Sequence, residues 1–249
     1  MREILNKRIN FLLLTGVVSG LFSIYFFGDV KLVNEWPIML DNLENNKILS
    51  VRSVNGVPVP NIFMPPLYPI FLYLIKLLIN DINIFLNTVF LIQLTFSVIS
   101  ILLCYKIFLE LFSEHISLFG TLIFTIFPLN VYAISQISSV TLQVFLINIF
   151  LLSFIKIYKG LFKNNILIFS LASALLILLR GEFFIFIIFS IIYLLVKQKN
   201  FLNIFFIILI ITILISPYIY RNYKIFGVIT ITKSFGYNLL KGNHPNTVV

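Results

Sequence analysis

The sequence predicts an all-α, polytopic membrane protein, with about seven transmembrane helices and amphipathic juxtamembrane helices in the first outer loop. Of its 249 residues, 60% are hydrophobic and 11% are charged, and the mean hydropathy is +1.06. Soluble domains are about 45–50% apolar and about 25% charged, so this chain lacks the polar residues to cover a water-facing globule. The apolar residues also form long blocks, as helices that cross a bilayer require.

Seven apolar blocks predict the membrane helices, at about 9–27, 83–109, 115–133, 138–158, 164–180, 182–197 and 200–220. An eighth block at 66–79 is short and contains Lys76. A lysine at mid-bilayer is costly, whereas at the interface its side chain reaches water, so we expect this block to lie on the membrane surface. Two long polar segments, about 28–82 (with the surface block) and 221–249, then share the outer face.

This arrangement places many cations on the side of the N-terminus. They are Arg2, Lys7, Arg8, Lys106, Lys156, Lys159, Lys163, Lys197 and Lys199. The positive-inside rule assigns that side to the cytoplasm, which predicts a multi-pass protein of the plasma (inner) membrane. The basic N-terminus followed by an apolar run also fits a signal peptide, but the run is long and no small-residue cleavage site follows.

The composition excludes several functions. The net charge of +9 is scattered between apolar blocks, so it forms no basic face for nucleic acid. Cys104 is the single cysteine, which rules out an internal disulfide or a zinc–cysteine cluster. The sequence has neither a Walker loop nor a dinucleotide glycine motif.

The first outer loop contains the best candidate for catalysis. Residues 36, 39, 40 and 43 are apolar at helical spacing and Pro37 suits a first turn, so we expect a surface helix with Trp36 at the headgroup level. Glu35 and Asp29 then lie beside the end of the first membrane helix, where a carboxylate can act as a general base or hold a metal ion. Alternatively, they are solvated surface groups, or Glu35 caps the helix.

Basic residues near the outer face suggest an anionic ligand. Arg180, in Arg180-Gly181-Glu182, can bind a phosphate through its two-pronged guanidinium group, although an Arg–Glu pair or contact with lipid headgroups explains it equally well. Arg221 and Lys224 face outward against the positive-inside trend, and an anionic ligand or lipid headgroup is the simplest explanation.

Several motifs together resemble a known family. They are Met64-Pro65-Pro66-Leu67-Tyr68-Pro69, Leu179-Arg180-Gly181-Glu182, the run from Ser216 to Gly227, and the run from Asn238 to Pro245. In order and spacing the chain resembles the N-terminal module of polyprenyl-phosphate-dependent GT-C glycosyltransferases, the group that contains protein mannosyltransferases and aminoarabinose transferases. Residues 1–249 are thus expected to form a single transmembrane module.

The resemblance implies an inverting transferase with its active site on the outer face and a polyprenyl-phosphate-linked sugar as donor. It implies Glu35 as the base, with Asp29 as second choice, and Arg180, Arg221 and Lys224 as phosphate-binding residues. Tyr68 and Asn243, within the motifs, are further substrate-binding candidates. The acceptor is left open among lipid, glycan and protein, and the one cofactor left open is a divalent metal ion near Glu35.

The chain departs from the family in two respects. Trp36 stands where family members often have a tyrosine. Family members also continue with more membrane helices, so the resemblance implies that this chain is the N-terminal part of a longer protein.

Two other functional classes compete with the transferase. A transporter or flippase for lipid-linked glycans would have ionisable residues at mid-membrane, whereas the blocks contain neutral polar residues such as Gln93, Gln143 and Asn148. A non-catalytic membrane scaffold predicts that removing Glu35 alters only local stability.

Overall fold

The computed structural model describes residues 2–234 and Asn243, with side chains from Lys7 onward, and this part is all-α apart from one small hairpin. The helices are α1 (Arg2–Phe27), α2 (Trp36–Asn46), α3 (Leu67–Lys76), α4 (Ile82–Leu111), α5 (Glu114–Ile126), α6 (Pro128–Ile134), α7 (Val140–Tyr158), α8 (Lys163–Leu179), α9 (Phe183–Gln198) and α10 (Phe201–Phe226). The hairpin pairs β1 (Ser53–Val54) with β2 (Val57–Pro58).

Four of these helices, α1, α4, α7 and α10, are long and apolar enough to cross a membrane. Helices α5 and α6 make a fifth span if they count as one helix that is bent by 51° between Phe127 and Pro128. The apolar helices α3, α8 and α9 are shorter, at 10, 17 and 16 residues. The prediction of an all-α, multi-pass membrane protein is therefore confirmed at the level of four or five spans.

Side-chain contacts show which helix ends lie together. At one end, here called the N-terminal end, Lys159 pairs with Glu110 at 2.7 Å, and Gln198 donates a hydrogen bond to the carbonyl of Tyr158. At the opposite end, here called the loop end, Gln136 donates to the Phe27 carbonyl at 2.7 Å. The loop end thus contains residues 28–81, 134–140, 180–182 and 227–234.

Small residues let α1 pack closely against its neighbours. A Cβ atom at Gly16 would overlap Ile101, and one at Gly20 would overlap Leu94, both on α4. The two glycines are four residues apart and therefore lie on one face of α1. This spacing is common where membrane helices approach each other closely.

Helix α10 continues six residues beyond the apolar block that predicted it, so residues 221–226, at the start of the predicted outer segment, are helical. Pro217 lies inside this helix and lacks the N–H that would bind the Ile213 carbonyl. The Ser216 hydroxyl donates to that carbonyl instead, at 3.0 Å. The helix ends at Gly227, whose φ of 67° reverses the chain.

The loop before α4 contains the expected surface helix α2, with Pro37 in its first turn. Trp36, expected at the headgroup level, is 7% exposed, because its ring packs edge-on against Tyr68 with the centroids 5.1 Å apart. Helix α3, within the 66–79 block, has 10 residues and is about 15 Å long, which is half the thickness of a hydrocarbon core.

Candidate functional site

The first loop is fastened to the C-terminal part of the described chain at the loop end. Each backbone carbonyl of residues 61–64 accepts a hydrogen bond from α10 or from the segment after it. The bonds run from Arg221 Nη1 to Asn61 O (3.0 Å), from the Lys233 N–H to Ile62 O (2.9 Å), from Thr232 Oγ1 to Phe63 O (2.8 Å) and from the Tyr218 hydroxyl to Met64 O (3.2 Å). Two segments more than 150 residues apart therefore form one surface.

Arg221 is the most constrained of the predicted phosphate-binding residues. Its Nη1 donates to Asn61 O and, at 2.8 Å, to Asn222 Oδ1. Its guanidinium carbon lies 5.7 Å from the Tyr218 ring centroid and 5.5 Å from that of Phe226. Because a guanidinium group has five N–H donors, some remain for an anion at this half-buried position.

A buried glutamine connects three helices beneath this surface. Gln93 on α4 is 1% exposed, accepts from the Tyr68 hydroxyl at 3.2 Å, and donates to the carbonyls of Ile134 and Gln136 at 2.9 Å each. Burial raises the pKa of Tyr68, and the negative charge of Asp29 raises it further, so the phenol stays protonated. The predicted substrate-binding residue Tyr68 thus orients α3 from inside the protein.

Asp29 is engaged in structure. Its Oδ2 accepts the N–H of Ile137 at 2.7 Å, and its own N–H donates to Ser135 O at 3.1 Å. These two bonds fasten the end of α1 to the turn that follows α6. A base that already accepts a backbone hydrogen bond is less available for a proton, so Asp29 remains the second choice.

Glu35 differs from Asp29 in having open acceptor sites. Within the described part of the chain its half-buried carboxylate forms no hydrogen bond or ion pair, and it does not cap α2, although it occupies the capping position. The next residue, Trp36, is buried and fixes the backbone here. The geometry therefore leaves Glu35 held in place with both carboxylate oxygens available.

The other predicted residues are more exposed. Arg180 pairs with Glu182 at 3.3 Å, which is the structural alternative considered above, and 40% of its side chain is exposed. Lys224 is exposed and lies 5.2 Å from the Tyr220 ring centroid. Asn243 is exposed too, but the residues around it in the tail motif are outside the described part of the chain.

Helix α3 connects the two halves of the candidate site. It contacts α2, which follows Glu35, and α8, which ends just before Arg180. Trp36 and Leu179 belong to the same continuous hydrophobic core. The structure therefore brings the helix after Glu35 and the helix before Arg180 together at the loop end.

An apolar groove runs between α9 and α10 and reaches the loop end. It consists of two adjoining cavities of about 330 and 270 Å³, which share Phe184 and Ile215. The deeper cavity is lined by Ile177, Phe184, Ile187, Ile188, Ile191, Ile192, Ile208, Ile211, Thr212 and Ile215. The upper one adds Gly181, Ile219, Ile229, Thr230, Ile231 and Thr232. This α9–α10 groove is thus apolar at depth, and its mouth is lined by threonine side chains and by Gly181, which follows Arg180 in the chain.

The described residues include no group of three or more His, Cys, Asp and Glu side chains that could hold a metal ion. Mg²⁺ in proteins is usually bound through one or two carboxylates together with waters and substrate phosphates, and Glu35 could supply one such ligand.

No family model, curated protein or solved structure matches the chain. The resemblance to GT-C glycosyltransferases therefore rests on the sequence motifs alone.

Some residues of this region are not recognisable as functional from sequence. The groove isoleucines cannot be told apart from isoleucines that face lipid, because both lie in the same apolar blocks. Gln93 stands out in the sequence as an amide inside an apolar block. Its hydrogen-bond partners Tyr68, Ile134 and Gln136 could not be predicted, because they lie far from it in the chain.

Proposed function

We propose that the chain is a membrane glycosyltransferase module that transfers a sugar from a polyprenyl-phosphate donor to an acceptor on the outer face of the membrane. The observation that carries this proposal is the α9–α10 groove. It is long and apolar, and its mouth is lined by Thr230, Thr232 and Gly181, the residue that follows the cation Arg180 in the chain. A polyprenyl phosphate has a matching shape, because its long apolar chain ends in an anionic phosphate.

The proposal includes a topology of seven crossings. In this topology helices α1, α4, α5–α6, α7, α8, α9 and α10 each cross the membrane once. The N-terminal end holds nine of the 18 Lys and Arg residues but only three of the nine carboxylates, Glu3, Glu110 and Glu114. The positive-inside rule supports placing that end in the cytoplasm and the loop end outside.

In the proposed reaction an acceptor hydroxyl oxygen attacks the anomeric carbon of the sugar from the side opposite the phosphate. The bond from that carbon to the phosphate oxygen breaks, and its electron pair leaves with the polyprenyl phosphate. The hydroxyl proton moves to the Glu35 carboxylate, whose acceptor sites are open. Attack from the opposite side inverts the configuration at the anomeric carbon.

Arg180 and Arg221 are proposed to stabilise the departing phosphate. Arg180 is exposed and can exchange its 3.3 Å contact with Glu182 for a charge-assisted bond to phosphate. Arg221 is held by Asn61 and Asn222 and keeps unused N–H groups. Lys224, exposed one turn away, adds positive charge to the same region.

The test is transfer of a labelled sugar from polyprenyl-phosphate donors in membranes that contain the full-length gene product. Glu35→Gln keeps the size of the side chain but cannot accept the proton. We expect the rate to fall by roughly 10²- to 10⁴-fold, the usual contribution of a general base, with donor binding retained.

Glu44→Gln is the matched control, since Glu44 is an exposed carboxylate on the neighbouring helix α2. Its rate should stay close to that of the unmodified protein. Equal rates for the Glu35 and Glu44 variants would remove Glu35 as the base. If the protein moves the donor lipid between leaflets but transfers no sugar, the transferase proposal is wrong and the flippase alternative is supported.

A further inference from the structure

Four polar side chains surround a small cavity between α4, the α5–α6 bend and the start of α7. They belong to Ser97, Ser100, Asn130 and Thr141, and the remaining lining side chains are apolar. The cavity leaves about 10 Å³ for the centre of a water molecule, which is close to the volume that one buried water requires. It shares no residue with the α9–α10 groove.

The break between α5 and α6 leaves room for this cavity. In a continuous helix the N–H of residue 128 would bind the Phe124 carbonyl, but Pro128 has no N–H. The Asn130 side chain folds back and donates to that carbonyl through Nδ2 at 3.3 Å. On α4 the lining residues Ser97 and Ser100 are small and do not fill the space. The bend and the small side chains together leave a hole with polar walls.

The hydroxyl of Thr141 is the group that calls for a ligand. Thr141 is 4% exposed, and its buried hydroxyl oxygen has no hydrogen-bond partner within the described part of the chain. Other helical threonines, such as Thr121 and Thr125, donate to the carbonyl four residues earlier. For Thr141 that residue is Ile137, which precedes the first residue of α7, and the bond is not made. Buried polar groups almost always have a partner in the protein or in ordered water.

Two more polar atoms at the cavity have unused hydrogen-bonding capacity. The Ser97 hydroxyl and the Asn130 side-chain oxygen form no hydrogen bond among the described residues. With Thr141 they make three possible partners, and a buried water typically forms about three hydrogen bonds. The number of free groups therefore matches the volume of the cavity.

We propose that this cavity binds one water molecule, which bridges the hydroxyls of Thr141 and Ser97 and the Oδ1 atom of Asn130. The water connects α4 with the α5–α6 bend and with the first turn of α7. Water suits this set because it donates to the amide oxygen and can also accept from a hydroxyl. A monovalent cation suits it less, because no carboxylate lines the cavity and the first N–H groups of α7 carry partial positive charge.

The first test compares the thermal unfolding of Thr141→Val with that of the unmodified protein in detergent. Valine has nearly the shape of threonine but removes the hydroxyl, so the water loses a partner. We expect the midpoint to fall by about 2–4 °C, as the loss of one hydrogen bond implies for a chain of this size.

Ser173→Ala is the matched control. The Ser173 hydroxyl is also buried without a partner among the described residues, but Ser173 does not line this cavity. Removing a hydroxyl that has no partner should not lower the midpoint. The contrast between the two variants separates a hydroxyl bound to water from one that is only buried.

The second test is direct, and uses an experimental density map of the unmodified protein that is fine enough to show ordered water. We expect one solvent peak within hydrogen-bond distance of both Thr141 Oγ1 and Asn130 Oδ1. A map without this peak, or a midpoint that Thr141→Val leaves unchanged or raises, would overturn the proposal. A midpoint that rises in sodium or potassium chloride relative to choline chloride, but not in the Thr141→Val variant, would also overturn it and assign the cavity to a cation.

Discussion

At the scale of single residues, the candidate site depends on which polar groups are already bound. Asp29 and Glu35 are both carboxylates near the end of α1, yet Asp29 accepts a backbone N–H at 2.7 Å while the Glu35 carboxylate has no partner within the described residues. Gln93 shows the opposite extreme, since both its amide nitrogen and its amide oxygen are used. The bound groups thus organise the loop end, whereas Glu35 keeps its acceptor sites open.

Gln93→Leu should destabilise the protein because it leaves the Tyr68 hydroxyl and the carbonyls of Ile134 and Gln136 without partners. We expect a loss of about 1–3 kcal/mol in the free energy of unfolding, measured by SDS titration in mixed micelles. Gln143→Leu is the control, because Gln143 is half-buried in α7 without a side-chain hydrogen bond among the described residues. Similar losses for both variants would contradict the proposed role of Gln93.

At the scale of helices, length and packing arise from different features. Helix α10 reaches Phe226 because no residue stops it before Gly227, and the Ser216 hydroxyl compensates for Pro217. Helix α1 packs on α4 because Gly16 and Gly20 remove the side chains that would separate them. Hydrophobicity predicted both helices, but their contacts depend on single small residues.

Gly20→Val should weaken the α1–α4 contact, since its Cβ would overlap Leu94. Overpacking of this kind costs about 1–3 kcal/mol, which should appear as a lower midpoint of thermal unfolding in detergent. Val18→Leu adds bulk two residues away, where the side chain is 58% exposed, and should leave the midpoint unchanged. An unchanged midpoint for Gly20→Val would mean that the helices tolerate a wider separation.

At the scale of the whole molecule, the loop end joins segments from the beginning and the end of the described chain. Four hydrogen bonds connect residues 61–64 with residues 218–233. Helix α3 lies against both α2 and α8. These contacts tie the first loop both to the helix that ends before Arg180 and to the helix that contains Arg221.

Arg221→Lys should loosen this connection while keeping the charge, because lysine is shorter and lacks the planar guanidinium group that lies near the Tyr218 and Phe226 rings while its Nη1 donates to Asn61 O. We expect hydrogen exchange at the Lys233 amide, which is bonded to Ile62 O, to become about tenfold faster. The exposed neighbour Lys224, changed to glutamine, should leave this exchange rate unchanged. An unchanged exchange rate in both variants would show that the other three hydrogen bonds are enough to hold the two segments together.

The proposed topology predicts labelling from opposite sides of the membrane. In a Cys104→Ser background, Ser53→Cys in β1 should react with a membrane-impermeant maleimide in intact cells. Lys163→Cys, at the start of α8, should react only after permeabilisation. Both positions are exposed, so access to the reagent depends on the side of the membrane. Reaction of both positions in intact cells would contradict the proposed orientation of the bundle.

The sequence by itself determined the membrane class, the position of each apolar helix along the chain, apart from the bend between α5 and α6, and the loop helix with Pro37 in its first turn. These features follow from local hydrophobicity and from turn chemistry, which act within one segment. The small hairpin was not predicted, although Asn55 and Gly56 have φ angles of 51° and 79° that suit its two-residue turn. Only the tertiary structure decided that Asp29 is bound while Glu35 is open, that Trp36 is buried, and that α9 and α10 leave a groove. Each of these depends on contacts between residues far apart in the chain, which no local pattern records.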